Sequence, residues 1–275
     1  MRRLSLVLFA LVPAFAAAND CKFTARHDFD VDAAGLKTLA ATIGSSDLEV
    51  VGVPGLAKVE VRGRACASEQ ARLAALGVDQ QRSGDRLTIT PRQDRSSAWS
   101  WFGSSYAYVD IEIRVPASLA VEVRSGSGDA RVREVASLRY DGSSGDLAAR
   151  KIAGLFDLKL SSGDVDASDI GSVEVRSVSS GDLVVRDVRG DVHVEHVGSG
   201  DVTFDNVGGG VTIGSVGSGD VTIGHVDRDV RVDSIGSGDI DVSDIGGDFS
   251  VRSKGSGSIR HRGVRGRTDV PRDDD

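Results

Sequence analysis

The chain has 275 residues, 33 basic against 41 acidic, a formal net charge of −8, and only two cysteines, Cys21 and Cys66. The acidic balance argues against a nucleic-acid partner, because phosphate binding needs a basic surface. Beyond the first residues no apolar run reaches the length of a membrane span, so no transmembrane segment is expected.

Residues 1–18 read as a secretory signal peptide: Arg2 and Arg3, an apolar run from Leu4, and a small-residue end at Ala16-Ala17-Ala18. Cleavage after Ala18 removes two positive charges and leaves −10. A lipid anchor on Cys21 is the alternative, against which Ala18-Asn19-Asp20 lacks the small and apolar pattern that such processing uses. The implied compartment is the periplasm or cell surface of a bacterium. There two cysteines read as one disulfide, Cys21 to Cys66, closing a loop of 45 residues.

Residues 19–120 are irregular and β-rich. Strands are expected at Ser46 to Val53, Lys58 to Arg64, Arg86 to Thr90, Ala107 to Val115 and Ala120 to Arg124, with a single helix from Ser68 to Leu76 that Ser68 would cap. This part is expected to cover the first end of a coil. The run from Trp99 to Tyr108 holds five of the eleven aromatic residues outside the leader: Trp99, Trp101, Phe102, Tyr106 and Tyr108. Two uses suit such a cluster, contact with a partner or packing over a coil end.

Residues 121–262 repeat. Ser-Gly-Asp recurs with its aspartate at Asp129, Asp146, Asp164, Asp182, Asp201, Asp220 and Asp239, and an eroded Ser-Gly-Ser ends at Ser258. The steps are 17, 18, 18, 19, 19, 19 and 19 residues. A unit that short cannot bury a core alone, so the pattern predicts an all-β, single-stranded β-solenoid of 17- to 19-residue rungs. Within a rung, Val221, Ile223, Val226 and Val230, Val232, Ile235 follow one template twice and should face inward. A second corner is marked by Asp191, Gly210, Asp229 and Asp248. At Lys254 a charge replaces the sixth apolar residue, which suggests that the coil is ending. Residues 263–275 form a tail, preceded by a locally basic run at Arg260-His261-Arg262.

Glycine permits a tight corner, and an aspartate carboxylate can accept backbone N–H groups there, so Ser-Gly-Asp reads first as a turn device. Stacked carboxylates also suggest a calcium ladder. The calcium-binding nonapeptide repeat does not fit, since its period is 9 and its aspartate does not follow glycine directly. His193 and His196 flank Glu195, but their equivalents one turn on, Thr212 and Ser215, are poor ligands. His27, His225 and His261 are scattered. No serine sits in a nucleophile elbow and no phosphate loop occurs. No catalytic residue, cofactor or metal ligand is assigned.

The segment Tyr108-Val-Asp-Ile-Glu-Ile-Arg-Val-Pro116, then Val121-Glu-Val-Arg-Ser-Gly-Ser-Gly-Asp129 and the serial Ser-Gly-Asp rungs resemble the bacterial putative-adhesin family of exported β-strand-repeat proteins of unknown function. That resemblance carries no catalytic residues. It implies a non-enzymatic structural or binding protein of the cell envelope, with an envelope protein or glycan as partner. The alternatives are a calcium-stabilised scaffold and a polysaccharide-acting β-helix enzyme.

Overall fold

The computed structural model describes residues 21–92 and 106–271. The N-terminal part comprises β1 (Phe23–Asp32), β2 (Thr38–Ile43), β3 (Leu48–Val53), β4 (Lys58–Ala67), the short helix α1 (Gln70–Leu73), β5 (Gly77–Ser83), β6 (Arg86–Arg92) and β7 (Ala107–Pro116). The coil continues through β8 (Ala120–Ser125), β9 (Ala130–Arg133), β10 (Ser137–Gly142), β11 (Leu147–Leu160), β12 (Val165–Val178), β13 (Leu183–Val188), β14 (Val192–Val197), β15 (Val202–Val207) and β16 (Val211–Val216). It ends with β17 (Val221–Val226), β18 (Val230–Ile235), β19 (Ile240–Ile245), β20 (Phe249–Lys254), β21 (Ile259–Val264) and β22 (Thr268–Asp269). The fold is a β-solenoid of about 8 turns with rungs of about 19 residues.

Each rung contributes one strand to each of two parallel stacks. One face runs β2, β8, β10, the second half of β11, the second half of β12, then β14, β16, β18 and β20. The other runs β3, β9, the first half of β11, the first half of β12, then β13, β15, β17, β19 and β21. The core lies between them. Val202, Phe204, Val207, Val211, Ile213 and Val216 are all buried, as are their equivalents one turn on, Val221 to Ile235. Each such aliphatic side chain contributes about 1.5–3 kcal/mol by leaving water. In the second half of β11 the buried apolar side chains are Phe156, Leu158 and Leu160; Asp157 between them points to the outer face and is covered by Arg139 and Arg176, each 2.7 Å away.

The in–out alternation breaks once per strand, and on the second face a column of left-handed residues causes the break. Glu134, Lys151, Asp169, Asp187, Asn206, His225 and Asp244 all have φ between 52° and 61°. Such a residue drops out of the ladder, for the register runs Phe204↔Ile223, Asp205↔Gly224 and then Val207↔Val226. The extra residue turns the third apolar side chain back into the core, as a bulge does. Asp, Asn and His tolerate this conformation better than most side chains.

The first rungs are out of sequence order. β6 pairs in parallel with β2, and β7 with β3, so the β6–β7 pair lies beyond the β2–β3 rung, which β8 and β9 cover from the other side. Antiparallel strands extend this end: β5 on β6, and β4 then β1 on β7. The disulfide joins Cys21, just before β1, to Cys66 in β4. The expected helix is shorter than the sequence suggests, and Ser68 does not cap it. The Ser68 N–H bonds the Tyr106 carbonyl at 3.0 Å, which holds Ser68 beside the start of β7 just past the end of β4, and Glu69 takes the cap position without a side-chain bond. Lys254 stands opposite Ile235, yet β21 and β22 follow it, so the coil continues for part of another turn. Among the described residues no helix is long and apolar enough to cross a membrane.

Candidate binding surface

The Ser-Gly-Asp corner joins the end of a first-face strand to the start of a second-face strand. Each corner carboxylate accepts a hydrogen bond from the backbone N–H of the equivalent residue one rung on. The chain of bonds begins at Asp47, passes through Asp129, Asp146, Asp164, Asp182, Asp201, Asp220 and Asp239, and ends on the Ser258 N–H, with distances of 2.8 to 3.2 Å. Asp47 was missed in the sequence because its corner reads Ser45-Ser46-Asp47. The following Leu48-Glu49-Val50 carries the same apolar–polar–apolar signal and could have revealed it. At the other corner, Asp191, Asp229 and Asp248 accept from the N–H groups of Gly210, Asp248 and Arg267 at 2.8 Å. Glycine at position 210 offers no carboxylate, so this column is interrupted.

Where a column ends, the last carboxylate is held ionised. The Ser258 N–H and hydroxyl, with Arg260 behind them, hold Asp239 below the ordinary carboxylate range. The Arg267 N–H and guanidinium do the same for Asp248.

The histidines lie apart. His196 Nδ1 is 2.8 Å from the Ser215 hydroxyl, whereas His193 stands opposite Glu174 on the neighbouring strand. His225 lies 2.8 Å from Asp205 and 3.6 Å from Asp244, and the hydrogen bond to Asp205 raises its pKa. His261 occupies the position of Val242 one rung on, and its ring covers Phe249 with centroids 5.9 Å apart.

A concentration of charged groups lies at the N-terminal end of the second face. Strand register sets it: Asp28, Arg62, Glu112, Glu49 and Arg131 stand side by side across β1, β4, β7, β3 and β9. The next row is Arg26, Arg64, Asp110 on β1, β4 and β7, continued by Asp47. These two rows floor a trough of about 580 Å³. Cross-strand pairs of opposite charge stabilise such a surface. Arg62 reaches Asp30 at 2.8 Å and Arg133 reaches Glu49 at 2.7 Å. Asp110 is the exception: burial and then the Asp47 charge push its carboxyl up, against the pull of Arg64.

Tyr108 lies on β7 beside this trough, and burial followed by the Asp110 charge raises its phenol pKa. Its ring is 6.2 Å from that of Tyr106, whose hydroxyl accepts the Lys22 N–H at 3.2 Å. The two tyrosines are therefore packed against the disulfide-tethered start of β1. Trp99, Trp101 and Phe102 lie outside the described residues.

The family model described as Toastrack DUF4097 matches residues 58–266. No curated protein matches the chain. Among solved structures, one named as a putative lipid binding protein from Parabacteroides distasonis is 16% identical, with 89% of this chain and 96% of that one covered and a TM-score of 0.49. A putative adhesin from Bacteroides fragilis is 14% identical over 91% of this chain and 98% of its own, with a TM-score of 0.40. A putative cell adhesion protein from Clostridium sporogenes is 14% identical, covering 90% and 100%, with a TM-score of 0.29. None of these likenesses carries an argument about activity.

Proposed function

We propose, for a chain that belongs to the Toastrack DUF4097 family, a non-enzymatic role as an exported, adhesin-like binding module of the cell envelope, with an envelope protein or glycan as partner. One observation carries the reading: strand register sets the outer-face side chains in rows, and the trough of Asp47, Arg64, Asp110, Glu112 and Arg131 lies beside Tyr108. Charged groups next to an aromatic segment offer both hydrogen bonds and a stacking face. Rows such as Thr203, Thr222 and Asp241, one rung apart, add repeated weak contacts of the kind that multivalent attachment uses. The leader expected over residues 1–18 and the Cys21–Cys66 disulfide support the exported location.

The test uses the mature protein, with immobilised envelope polysaccharides and envelope protein extract as ligands. The Arg64→Gln/Arg131→Gln variant and the Trp99→Ala/Trp101→Ala variant should lose attachment while remaining folded, the first with a melting temperature lowered only by the loss of its cross-strand charge pairs. Undiminished attachment by both variants would overturn the placement of the contact surface.

Two other readings have their own tests. A calcium-stabilised scaffold is disfavoured because one oxygen of each corner carboxylate already accepts a backbone N–H; calcium titration by calorimetry, with no heat expected, checks this. A polysaccharide-acting enzyme would need a carboxylic acid kept protonated beside an ionised one, and Asp110 beside Asp47 is the place to look. No release of reducing ends from envelope polysaccharides is expected, and release abolished by Asp110→Asn would establish that activity instead.

A further inference from the structure

Midway along the first face, three metal-ligand side chains from two rungs meet. Glu174 on β12 and His193 on β14 are direct partners in the parallel ladder, and Glu195 follows His193 by two residues. One donor atom of each lies within 4.8 Å of the others. We infer that Glu174, His193 and Glu195 form a binding site for a divalent transition-metal ion of the zinc type.

Three features separate this trio from the other charged groups of the face. First, its side chains have no protein partner: among the described residues none of the three side chains makes a hydrogen bond or an ion pair within the chain. The preceding outward residue of the same row, Asp157, is gripped by both Arg139 and Arg176 at 2.7 Å. Arg176, the cation closest in sequence to Glu174, is thereby engaged elsewhere. Two carboxylates and an imidazole are left facing one another without a counter-charge, an arrangement that a dication would neutralise.

Second, the donor set selects the ion. One imidazole nitrogen and two carboxylate oxygens suit zinc and its first-row neighbours, while calcium takes oxygen ligands only. On a tetrahedral zinc, ligand atoms about 2.0–2.2 Å from the metal lie roughly 3.4 Å apart. Closing from within 4.8 Å needs only rotamer adjustment by the two glutamates, since the backbone positions are fixed by the ladder. Third, the neighbouring rung leaves the site open. His193 is followed by the short Thr212, and Gly214, on the same strand, presents no side chain. A fourth position therefore remains for water or for a donor from another molecule, as in zinc sites with three protein ligands.

The sequence pattern around His193 and His196 misleads on this point. His196 turns to Ser215 and is not a ligand. The third ligand comes from the preceding rung, 19 residues before His193, where a search along one strand does not reach.

The experiment is isothermal titration of zinc chloride into the untagged full mature chain, in parallel with His193→Ala, Glu174→Gln, Glu195→Gln and the control His196→Ala. One zinc per chain is expected for wild type and for the control. Each of the three ligand variants should weaken binding by more than roughly tenfold, the lower bound seen when even a hydrogen-bond partner of a ligand is removed. All four substitutions are on the exposed face, and circular dichroism melting verifies that the variants are folded. X-ray absorption of the zinc-loaded protein should show one imidazole and two carboxylates at about 2.0–2.2 Å. Absence of zinc binding, or binding that persists unchanged in His193→Ala and Glu174→Gln, overturns the site. Neither result depends on the attachment role, because the Arg64 and Arg131 variants should bind zinc normally.

Discussion

The rungs from Leu183 onward and the end built from β1 to β7 face the same physical problem, a sheet edge with unpaired backbone groups. The rungs solve it by repetition. Each strand is covered by the next copy, and the corner carboxylate of one copy binds the N–H of the next, so a single short motif serves the whole length. The N-terminal end has no next copy. It brings β6 and β7 back over the first rung, adds antiparallel strands, ties β1 with a disulfide and dresses the outer face with opposed charges. In the rungs, backbone approach is therefore the sensitive quantity. At the N-terminal end it is the specific side chains and the covalent tie.

The largest expected effect tests the backbone half of that contrast. A methyl group at Gly200 would overlap the Gly181 carbonyl oxygen of the preceding rung, and flanking corners are built the same way. Gly200→Ala should therefore cost at least about 4 kcal/mol, in the range reserved for overpacking and strain. Gly55 and Gly84, in N-terminal turns, have positive φ but nothing within 4 Å of an added Cβ. Alanine there should cost only about 1–2 kcal/mol from the left-handed conformation. Equal losses in urea melts of the two classes would break the contrast.

Next comes the covalent tie. Opening the loop of 45 residues by Cys66→Ser releases denatured-chain entropy worth about 3–4 kcal/mol in the loop-closure picture. The loss should be local. Hydrogen exchange is expected to accelerate in β1 and the facing part of β4, with protection in β13 to β19 unchanged.

A single corner carboxylate is worth less. Asp201→Ala removes the acceptor of the Asp220 N–H, which sits at 2.9 Å in an exposed turn that water can enter. A loss of about 1 kcal/mol is expected, comparable with a helix N-cap. Natural tolerance is visible at Gly210, where the second corner's column lacks a carboxylate and the rung still forms.

Much of this was legible in the sequence wherever a rule repeats. Val221, Ile223 and Val226 declare their burial because β-branched residues alternate at a fixed period. Three things were hidden. The placement of β6–β7 beyond β2–β3 depends on pairing across a long insertion, which has no period. The left-handed column is filled by Glu, Lys, Asp, Asn and His, so no glycine marks it until Gly263. The Glu174–His193 contact and the trough rows arise from register between strands, and register becomes readable only after every rung length is known.

The smallest effect is set by pH, and it sharpens the comparison by isolating the column ends. Asp239 and Asp248 have depressed pKa values in the folded chain, so their contribution is present above the unfolded carboxylate value and is lost as pH falls through the folded one. His225 has the opposite sign. Its raised pKa, due first to Asp205 and further to Asp244, contributes fully below the unfolded imidazole value and is lost as pH rises through the folded one. All three groups are exposed and each effect should be small. Removing the hydroxyl with Ser258→Ala should shift the acid limb of the melting profile upward in pH while leaving the neutral limb unmoved. His225→Asn should flatten the neutral limb alone, because Asn206 already occupies that left-handed position one rung earlier. If either substitution moves both limbs, the two ends of the profile are coupled through the coil and the column ends do not act independently.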